Sequence, residues 1–262
     1  MSLKQIIKPY IHPRLRYHLR VVYCRLGMIL SHMKYWFRGV KTENAKDIPI
    51  IINNFNRLDY LRQLIASLEE RGYRNIRIID NKSTYPPLLE YYDTCPYKVY
   101  RLEENVGYLS IWQTGIYKEY EKSYYVYTDS DMRITDDCPD DFMEKFIKIL
   151  EKYPMAQKAG FGLKIDDLPD TFKNKDKVLE HEARFWHKPV GDDVYDAEID
   201  TTFALYRPFC KGKADRCQKT YRTGGRYQIH HLPWYVNSAE LTPEEQYYVE
   251  TITRSTHWSQ QA

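Results

Sequence analysis

Four short apolar runs, each followed by polar residues, constrain the fold of this chain more than any other feature. Between them lie stretches with apolar residues at helical spacing, such as residues 58–68 between the first two runs. Strands that alternate with helices over about 25–30 residues are typical of βαβ units and predict a parallel sheet flanked by helices. We therefore predict an α/β fold. The runs are 46–52, 76–80, 97–102 and 124–127; further helices are predicted at 88–92, 111–120, 142–150, 173–186 and 242–257, and a further strand at 159–165.

Polar side chains follow each of the four predicted strands. Ligands of parallel sheets bind beyond the carboxyl ends of the strands, which meet at one edge. We call the polar residues that follow the carboxyl end of a strand its exit. A glycine in the exit of the third strand would also allow a ligand to approach the backbone closely. We therefore expect one binding site made from all four exits. Its candidate residues are Asn53, Asn54 and Arg57 after the first strand, Asp80 and Asn81 after the second, Asn105 and Gly107 after the third, and Asp129, Ser130 and Asp131 after the fourth.

Asp129 and Asp131 form a D-x-D pair at the end of the fourth strand. Residues i and i+2 of a strand point to the same side, so the two carboxylates could converge, and they would repel each other without a cation between them. Oxygen ligands suit Mg²⁺ or Mn²⁺, which keep coordination positions for water and phosphate. A D-x-D pair by itself more often marks a solvated turn, but its place in this series of strand exits favours a metal site.

The chain contains neither G-x-G-x-x-G nor G-x-x-x-x-G-K-[ST], so a dinucleotide-binding fold or a P-loop is unsupported. An acid after the second strand can accept a hydrogen bond from a base or ribose, and an ion on the D-x-D acids would hold a diphosphate. These parts together fit a nucleoside-diphosphate ligand.

The segments at the strand exits resemble one family in order and spacing over about residues 47–135. They are IIINNFNRLDYLR at 50–62, IDNKS at 79–83, NVG at 105–107 and TDSD at 128–131, and they are similar to the N-terminal half of family-2 glycosyltransferases of the GT-A fold. The resemblance implies a sugar-nucleotide donor with UDP favoured, Mn²⁺ or Mg²⁺ on the D-x-D acids, and transfer to an acceptor hydroxyl. It implies that Asp80 binds the nucleoside and that the 53–57 loop surrounds base and ribose. The family often has two acids and Gly-Ser after the second strand, whereas this chain has Asp-Asn-Lys-Ser.

A β-rich run at 197–207 contains Asp200, which we expect to be buried in a strand. The run is similar to the strand after the acceptor loop in several GT-A enzymes, where an acid reaches the donor sugar or the acceptor hydroxyl. Asp200 is therefore the candidate catalytic residue, as general base if transfer inverts or as an orienting group if it retains. A turn-capping role is the alternative. Competing acids are Asp166, Asp167, Glu182 and Asp215.

Two basic features follow Asp200. Residues 211–228 are predicted to form a loop that closes over a diphosphate, with an ordinary exposed loop as the alternative. By resemblance, His231 completes the metal site or touches the diphosphate, with His230 as second choice, although an isolated histidine pair is more often structural. The basic residues of this loop are Lys211, Lys213, Arg216, Lys219, Arg222 and Arg226.

The N-terminal segment differs from the rest of the chain in charge. Residues 1–42 hold nine Lys and Arg and no acid, which leaves 30 basic against 36 acidic residues in the remainder. Apolar residues near helical spacing, with Trp36 and Phe37, are typical of a helix that lies on an anionic membrane. The alternative is a helix packed on the body with a solvated basic face. Nucleic acid is not expected as a partner, because no nucleic-acid-binding motif accompanies the charge.

We predict a basic amphipathic segment at 1–45 and a GT-A domain at 46–262, divided into a nucleotide-binding half, 46–135, and an acceptor-binding half, 136–262. Five cysteines without a C-x-x-C pair, no apolar stretch of about 20 residues and no signal-peptide pattern favour a cytoplasmic protein, peripheral on the inner membrane.

The expected acceptor is a glycan or a lipid-linked hydroxyl in surface polysaccharide or lipopolysaccharide assembly. Alternatives are a nucleotidyltransferase, which would want a glycine-rich loop after the first strand, and a non-catalytic sugar- or lipid-binding scaffold. Donor sugar, stereochemical outcome and oligomeric state stay open.

Overall fold

The computed structural model describes residues 12–38, 44–210 and 219–252. Strands and helices alternate through the first half, as predicted. The strands are β1 (Ile50–Asn54), β2 (Ile76–Asp80), β3 (Lys98–Arg101), β4 (Tyr125–Asp129), β5 (Met132–Ile134), β6 (Ala156–Leu163), β7 (Pro189–Gly191), β8 (Val194–Asp196), β9 (Ala204–Tyr206) and β10 (Lys219–His231). The helices are α1 (Pro13–Arg38), α2 (Asp59–Glu69), α3 (Pro86–Thr94), α4 (Ser110–Gln113), α5 (Phe142–Lys152), α6 (Lys175–Ala183) and α7 (Pro243–Thr251).

The described strands form one mixed sheet in the order β3-β2-β1-β4-β9-β6-β10-β8-β7, with β5 paired to β10. β3, β2, β1 and β4 are parallel neighbours, which confirms the predicted α/β fold and its parallel sheet. β9 runs antiparallel between β4 and β6. The parallel part therefore brings the exits of β1, β2 and β4 to one edge.

The core follows the hydrophobic periodicity of the sequence. Ile50, Ile51 and Ile52 of β1 are fully buried. α2 buries Leu61, Leu64 and Leu68, which recur on one helical face and pack against the sheet. This packing fixes the loop that joins β1 to α2.

α1 contacts the body along one narrow face. Met28 is buried, the Ser31 hydroxyl donates to the Phe209 carbonyl at 2.6 Å, and the Tyr35 and Tyr124 hydroxyls lie 3.1 Å apart. Most of its large apolar side chains are exposed. None of the described helices is long and apolar enough to cross a membrane.

Three expectations about local structure are wrong. The predicted helix 111–120 is broken at Gly115, whose φ of +80° interrupts helical geometry, leaving α4 and a 3₁₀ turn at Ile116–Glu119. The predicted strand 197–207 is reduced to β9, and residues 197–203 form a loop. In the predicted loop 211–228, residues from Lys219 onward belong to β10, while Lys211, Lys213 and Arg216 lie outside the described residues.

Candidate active site

Asn53 connects three of the four strand exits. In register it lies beside Asp129, and its neighbour Asn54 lies beside Asp80. The Asn53 amide nitrogen donates to Asp129 Oδ1 at 3.2 Å, and its oxygen accepts from the Asn81 amide at 2.5 Å. The Ser110 hydroxyl, at the start of α4, donates to the same oxygen at 2.6 Å. Side chains that the sequence placed on separate strands therefore form one hydrogen-bonded cluster.

The third exit joins this cluster through its backbone. Asn81 Oδ1 accepts from the Val106 N–H at 3.2 Å, and Asn105 Oδ1 accepts from the Gly107 N–H at 2.9 Å. Gly107 has a φ of +83°, in the left-handed region where glycine carries no Cβ penalty. The structure thus brings Asn105 and Gly107 to the predicted site.

Asp129 is held in place by the loop before β9. The Thr201 hydroxyl donates to Asp129 Oδ2, and the Asp129 N–H donates to the Thr201 carbonyl at 3.1 Å. Burial raises the pKa of Asp129 well above its ordinary value, and the charge of Asp131 raises it further. Ser130, between the two acids, is buried. Two such carboxylates carry full charge together only with a compensating cation.

Asp131 faces His231. The pairing of β10 with β5 places His231 opposite Met132, and its Nε2 lies 3.5 Å from Asp131 Oδ2. Although burial acts in the opposite direction, His231 and Arg57 hold the pKa of Asp131 below its usual range. His230 points elsewhere, with its Nε2 3.1 Å from Asp167 Oδ2. Of the two histidines, the structure therefore places His231 beside Asp131.

The donor atoms beside Asp131 fit a divalent ion. Asp131 Oδ1 and His231 Nδ1 are buried and have no hydrogen-bond partner among the described residues. Over that same part of the chain, no three His, Cys, Asp or Glu side chains are arranged as a metal cluster. Mg²⁺ and Mn²⁺ tolerate few protein ligands when water and phosphate oxygens complete the shell. The ligand set Asp129, Asp131 and His231 stays a prediction.

Asp80 is almost fully enclosed. It accepts from the Ser83 N–H at 3.2 Å, its Oδ2 lies 3.3 Å from Arg101 Nε, and the Tyr92 hydroxyl lies 3.4 Å from its Oδ1. Burial raises the pKa of Asp80. The Asn54 amide donates to the same Tyr92 hydroxyl at 2.8 Å. Of these neighbours, Arg101 is half-exposed, and the nucleoside-binding role of Asp80 stays a prediction.

Asp200 lies beside the D-x-D acids, but the expectation that it is buried in a strand is wrong. It is exposed, in the loop that precedes β9, next to the Thr201 that contacts Asp129. The Asp200 carbonyl accepts from Lys158 Nζ at 2.8 Å. Burial lowers the pKa of Lys158 to about 8. Lys158 thus supports the loop from the core while the carboxylate of Asp200 stays accessible.

The competing acids and the basic strand have other partners. Glu182 forms a buried ion pair with Arg222 at 2.6 Å, so neither is mobile or open to substrate. Asp167 accepts from the Tyr235 hydroxyl at 2.6 Å, and Asp166 pairs with Lys164 at 2.7 Å. Asp215 lies outside the described residues. The prediction of a mobile phosphate-binding loop is therefore wrong for residues 219–223 and 228, which are paired within the sheet; residues 224–227 form an irregularity in the register of β10.

Several residues of the site were missed by sequence reasoning. Asn56, Ser110 and Thr201 supply hydrogen bonds, and Glu244 and Tyr248 of α7 contact the loop after β1. Thr201 directly follows the candidate Asp200, which is a local signal. The contacts of Glu244 carry no such signal, because its partners lie more than 180 residues away in the chain.

Comparisons with known proteins identify a family for this chain. The family model described as glycosyl transferase family 2 matches residues 50–192. Among solved structures, the chain is similar to the crystal structure of GalNAc-T7 with UDP, GalNAc and Mn²⁺, at 14% identity and a TM-score of 0.47. That match covers 72% of this chain and 44% of the other, so the chain spans less than half of its length. No curated protein matches the chain.

Proposed function

The chain belongs to glycosyl transferase family 2, and we propose that it transfers a sugar from a nucleoside-diphosphate sugar, with UDP favoured, to a hydroxyl of a glycan or lipid-linked acceptor. The observation that carries the proposal is the position of Asp131 beside His231, in the D-x-D pair at the edge where the four polar strand exits meet. We place the reaction in surface polysaccharide or lipopolysaccharide assembly. Residues 46–135 would bind the nucleotide and 136–262 the acceptor.

The donor is held by the polar exits. Asn53 and Asn81 are already oriented by their mutual hydrogen bond, so they would bind ligand with little further ordering. Mn²⁺ or Mg²⁺ would be held by Asp129, Asp131 and His231; when bound, it supplies positive charge for the departing diphosphate. The remaining donor-binding residues are Asn54, Arg57, Asp80, Asn105, Gly107, Asp129 and Ser130.

Asp200 is the proposed residue at the reaction centre. Its exposure leaves the carboxylate open to an acceptor hydroxyl, while Thr201 fixes the loop against Asp129. If transfer inverts, Asp200 takes the proton of the attacking hydroxyl; if it retains, Asp200 orients the sugar. The accessible loop position supports either role better than a buried strand position would.

Asp131→Asn tests the donor site. The substitution preserves shape but removes one negative charge, so we expect metal-dependent turnover to fall by at least about 100-fold. With Mn²⁺, UDP should raise the melting temperature of the wild type, because a ligand of the native state stabilises it by mass action. In the variant that shift should disappear.

Asp137→Asn is the matched control. It makes the same chemical change at an exposed acid outside the site and should leave turnover and the nucleotide shift unaltered. Unchanged turnover in a folded Asp131→Asn protein would remove the D-x-D acids from the mechanism.

We further propose that residues 1–45 dock the enzyme on an anionic membrane, at the cytoplasmic face of the inner membrane. At about 100° per residue, the exposed apolar side chains of α1 form a stripe about 120° wide. The stripe lies opposite Met28, Ser31 and Tyr35, which contact the body. Its members are Leu15, Leu19, Val22, Leu26, Ile29, Leu30, Met33, Trp36 and Phe37, between 44% and 72% exposed.

Basic residues flank this stripe on both sides. On the same helical projection, Arg16 and Lys34 lie along one margin and Arg14 and Arg25 along the other. α1 has no acidic residue. An apolar stripe between two basic margins matches a helix lying in the plane of an anionic lipid surface, with the chains below and the headgroups beside it. Residues 1–11 and 39–43, also part of the predicted segment, lie outside the described residues.

A further inference from the structure

α7 lies across the exits of β1 and β2. Glu244 Oε2 accepts from the Leu58 N–H at 2.7 Å, and the Tyr247 hydroxyl donates to the Thr84 carbonyl at 3.0 Å. At the other end of α7, Thr251 Oγ1 accepts from the Asn56 amide at 2.8 Å. The C-terminal helix therefore forms part of the wall of the candidate donor site.

The position of α7 is fixed by buried acids. Glu244 also accepts from the Asp59 N–H at 2.9 Å, so its carboxylate caps the first turn of α2. Glu245 accepts from the Tyr60 hydroxyl at 2.5 Å and completes a capping box with Thr242. Both glutamates are buried. Side chains on the inner face of α7 are thus presented to the site from a rigid support.

Tyr248 is the side chain of α7 that meets Arg57. The guanidinium carbon of Arg57 lies 3.8 Å from the centre of the Tyr248 ring and 4.8 Å from the centre of the Tyr60 ring. Stacking on an aromatic face attracts the cation without using its N–H groups. The guanidinium is therefore oriented while its Nη1 group remains available as a donor.

One nitrogen of the Arg57 guanidinium, Nη1, lacks an acceptor among the described residues. Its side chain is 8% exposed, and Nη1 is buried with no hydrogen-bond partner within residues 12–38, 44–210 and 219–252. A buried charged donor without a partner is costly and indicates an acceptor supplied from outside the protein. Asp131 is among its charged neighbours: burial alone would lower the pKa of Arg57, but Tyr248 and Asp131 raise it. Arg57 follows β1, whose Asn53 pairs in register with Asp129, so we expect the missing acceptor at the same edge of the sheet as the D-x-D acids.

We propose that Tyr248 is a positioning residue, which holds Arg57 so that its guanidinium edge donates to the diphosphate of the donor nucleotide. The inference rests on the proposed function, which supplies the nucleoside-diphosphate ligand. It assigns Arg57 to the phosphates, whereas the family resemblance places the 53–57 loop around the base and ribose. It also gives α7 a role in donor binding.

Calorimetric titration of the full chain with Mn²⁺ tests this assignment, with UDP, uridine and pyrophosphate as the probes. Tyr248→Leu removes the aromatic face, and we expect binding of UDP and of pyrophosphate to weaken about fivefold to tenfold. Uridine, which has no phosphate, should bind as it does to the wild type. Tyr248→Phe keeps the ring and should retain the affinity for both phosphate-bearing probes.

Tyr247→Leu is the control, because it makes the same substitution on the same helix but at a side chain that contacts Thr84. It should leave the ratio of UDP to uridine affinity unchanged. Arg57→Lys covers the case in which Tyr248→Leu does not fold: it keeps the charge, loses the planar stack, and should lower pyrophosphate affinity to a similar extent.

Two results would overturn the inference while leaving the proposed function intact. One is an equal loss of uridine and UDP affinity in Tyr248→Leu, which would mean that Tyr248 contacts the base and does not act on the phosphates through Arg57. The other is unchanged UDP and pyrophosphate binding in the folded Tyr248→Leu and Arg57→Lys proteins. A wild type that binds none of the three probes with Mn²⁺ would instead remove the proposed function, and this inference with it.

Discussion

At the scale of single residues, Asn56 joins the loops after β1 and β2. Its φ is +51°, in the left-handed region where asparagine is tolerated better than most side chains. Its Oδ1 accepts from the Thr84 N–H at 2.7 Å and the Tyr85 N–H at 3.0 Å, and its own N–H donates to Ser83 Oγ at 2.9 Å. A fully buried asparagine thus holds together two walls of the donor site.

Asn56→Ala should lower the free energy of unfolding by about 2 kcal/mol or more. Two backbone donors lose their acceptor, and alanine in the left-handed region adds about 1 kcal/mol of strain. Asn56→Gly loses the same hydrogen bonds without that strain, so it should cost less than Asn56→Ala. Urea denaturation of the three proteins measures both differences. Two variants as stable as the wild type would contradict this account.

At the scale of an element, α1 contrasts with α2. α2 buries one face in the core and is stabilised by it, whereas the described contacts of α1 with the body include those of Met28, Ser31 and Tyr35 along one line. A helix gains most of its stability from burying an apolar face. The exposed stripe of α1 therefore leaves an apolar face to be covered by the proposed membrane surface.

The wild type should bind vesicles of phosphatidylglycerol and phosphatidylcholine more tightly than vesicles of phosphatidylcholine alone, and high salt should weaken that difference. Each basic residue near an anionic surface contributes about 1 kcal/mol, so removing four margin charges should weaken binding about 100-fold or more. Vesicle co-sedimentation is the measurement. The substitutions are Arg14→Gln, Arg16→Gln, Arg25→Gln and Lys34→Gln.

The control for α1 changes four exposed lysines of the body to glutamine, so that net charge falls equally in both proteins. It should retain most of the vesicle binding. Equal losses in the two proteins, or a wild type that binds neither vesicle, would remove the docking role of α1. The control residues are Lys122, Lys148, Lys173 and Lys177.

At the scale of the whole molecule, the core is rich in tyrosine. The chain has 25 tyrosines, and Tyr125 and Tyr206 stack with ring centres 5.1 Å apart beneath the site. Burial raises the pKa of Tyr125, Tyr127 and Tyr206 above its ordinary value, because the tyrosinate form would lose its hydration. In the unfolded chain these hydroxyls ionise near their ordinary pKa of about 10.

Stability should therefore fall as pH rises above about 10. Below the pKa of tyrosine in the unfolded chain, the buried tyrosines are protonated in both states, and their full contribution to the free energy of unfolding is present. Above that pKa, the unfolded chain loses protons that the native state keeps, and the contribution is lost. Each such tyrosine lowers the free energy of unfolding by about 1.4 kcal/mol per pH unit. Urea denaturation at a series of alkaline pH values, with tyrosinate absorbance, gives the slope.

Tyr125→Phe provides the control for this slope. The Tyr125 hydroxyl is buried without a hydrogen-bond partner in the described part of the chain, so its removal should cost little at neutral pH. Because the variant has one titrating group fewer, the free energy of unfolding should fall less steeply with rising pH, by about 1.4 kcal/mol per pH unit. An unchanged slope would exclude Tyr125 as a contributor.

The parallel half of the sheet and the polar edge above it follow from the amino-acid sequence. Hydrophobic periodicity is local, and strands joined by helices run parallel, so Asn53, Asp80 and Asp129 had to meet once β1, β2 and β4 were recognised. The position of Asp129 and Asp131 at the end of the fourth strand could be predicted from the same local pattern. Residues near in sequence, or related by a repeated unit, carry this information in their spacing.

The distant side chains that complete the site are known from the three-dimensional packing and not from the sequence pattern. His231, and not His230, lies beside Asp131, and Asp200 lies in an accessible loop instead of the predicted strand. Residues 219–228 belong to a strand instead of the predicted loop. The ring of Tyr248 stacks on the guanidinium of Arg57. These contacts depend on strand register and on packing between segments far apart in the chain. Local patterns do not encode such pairings, because many faces of similar polarity compete until the whole core is formed.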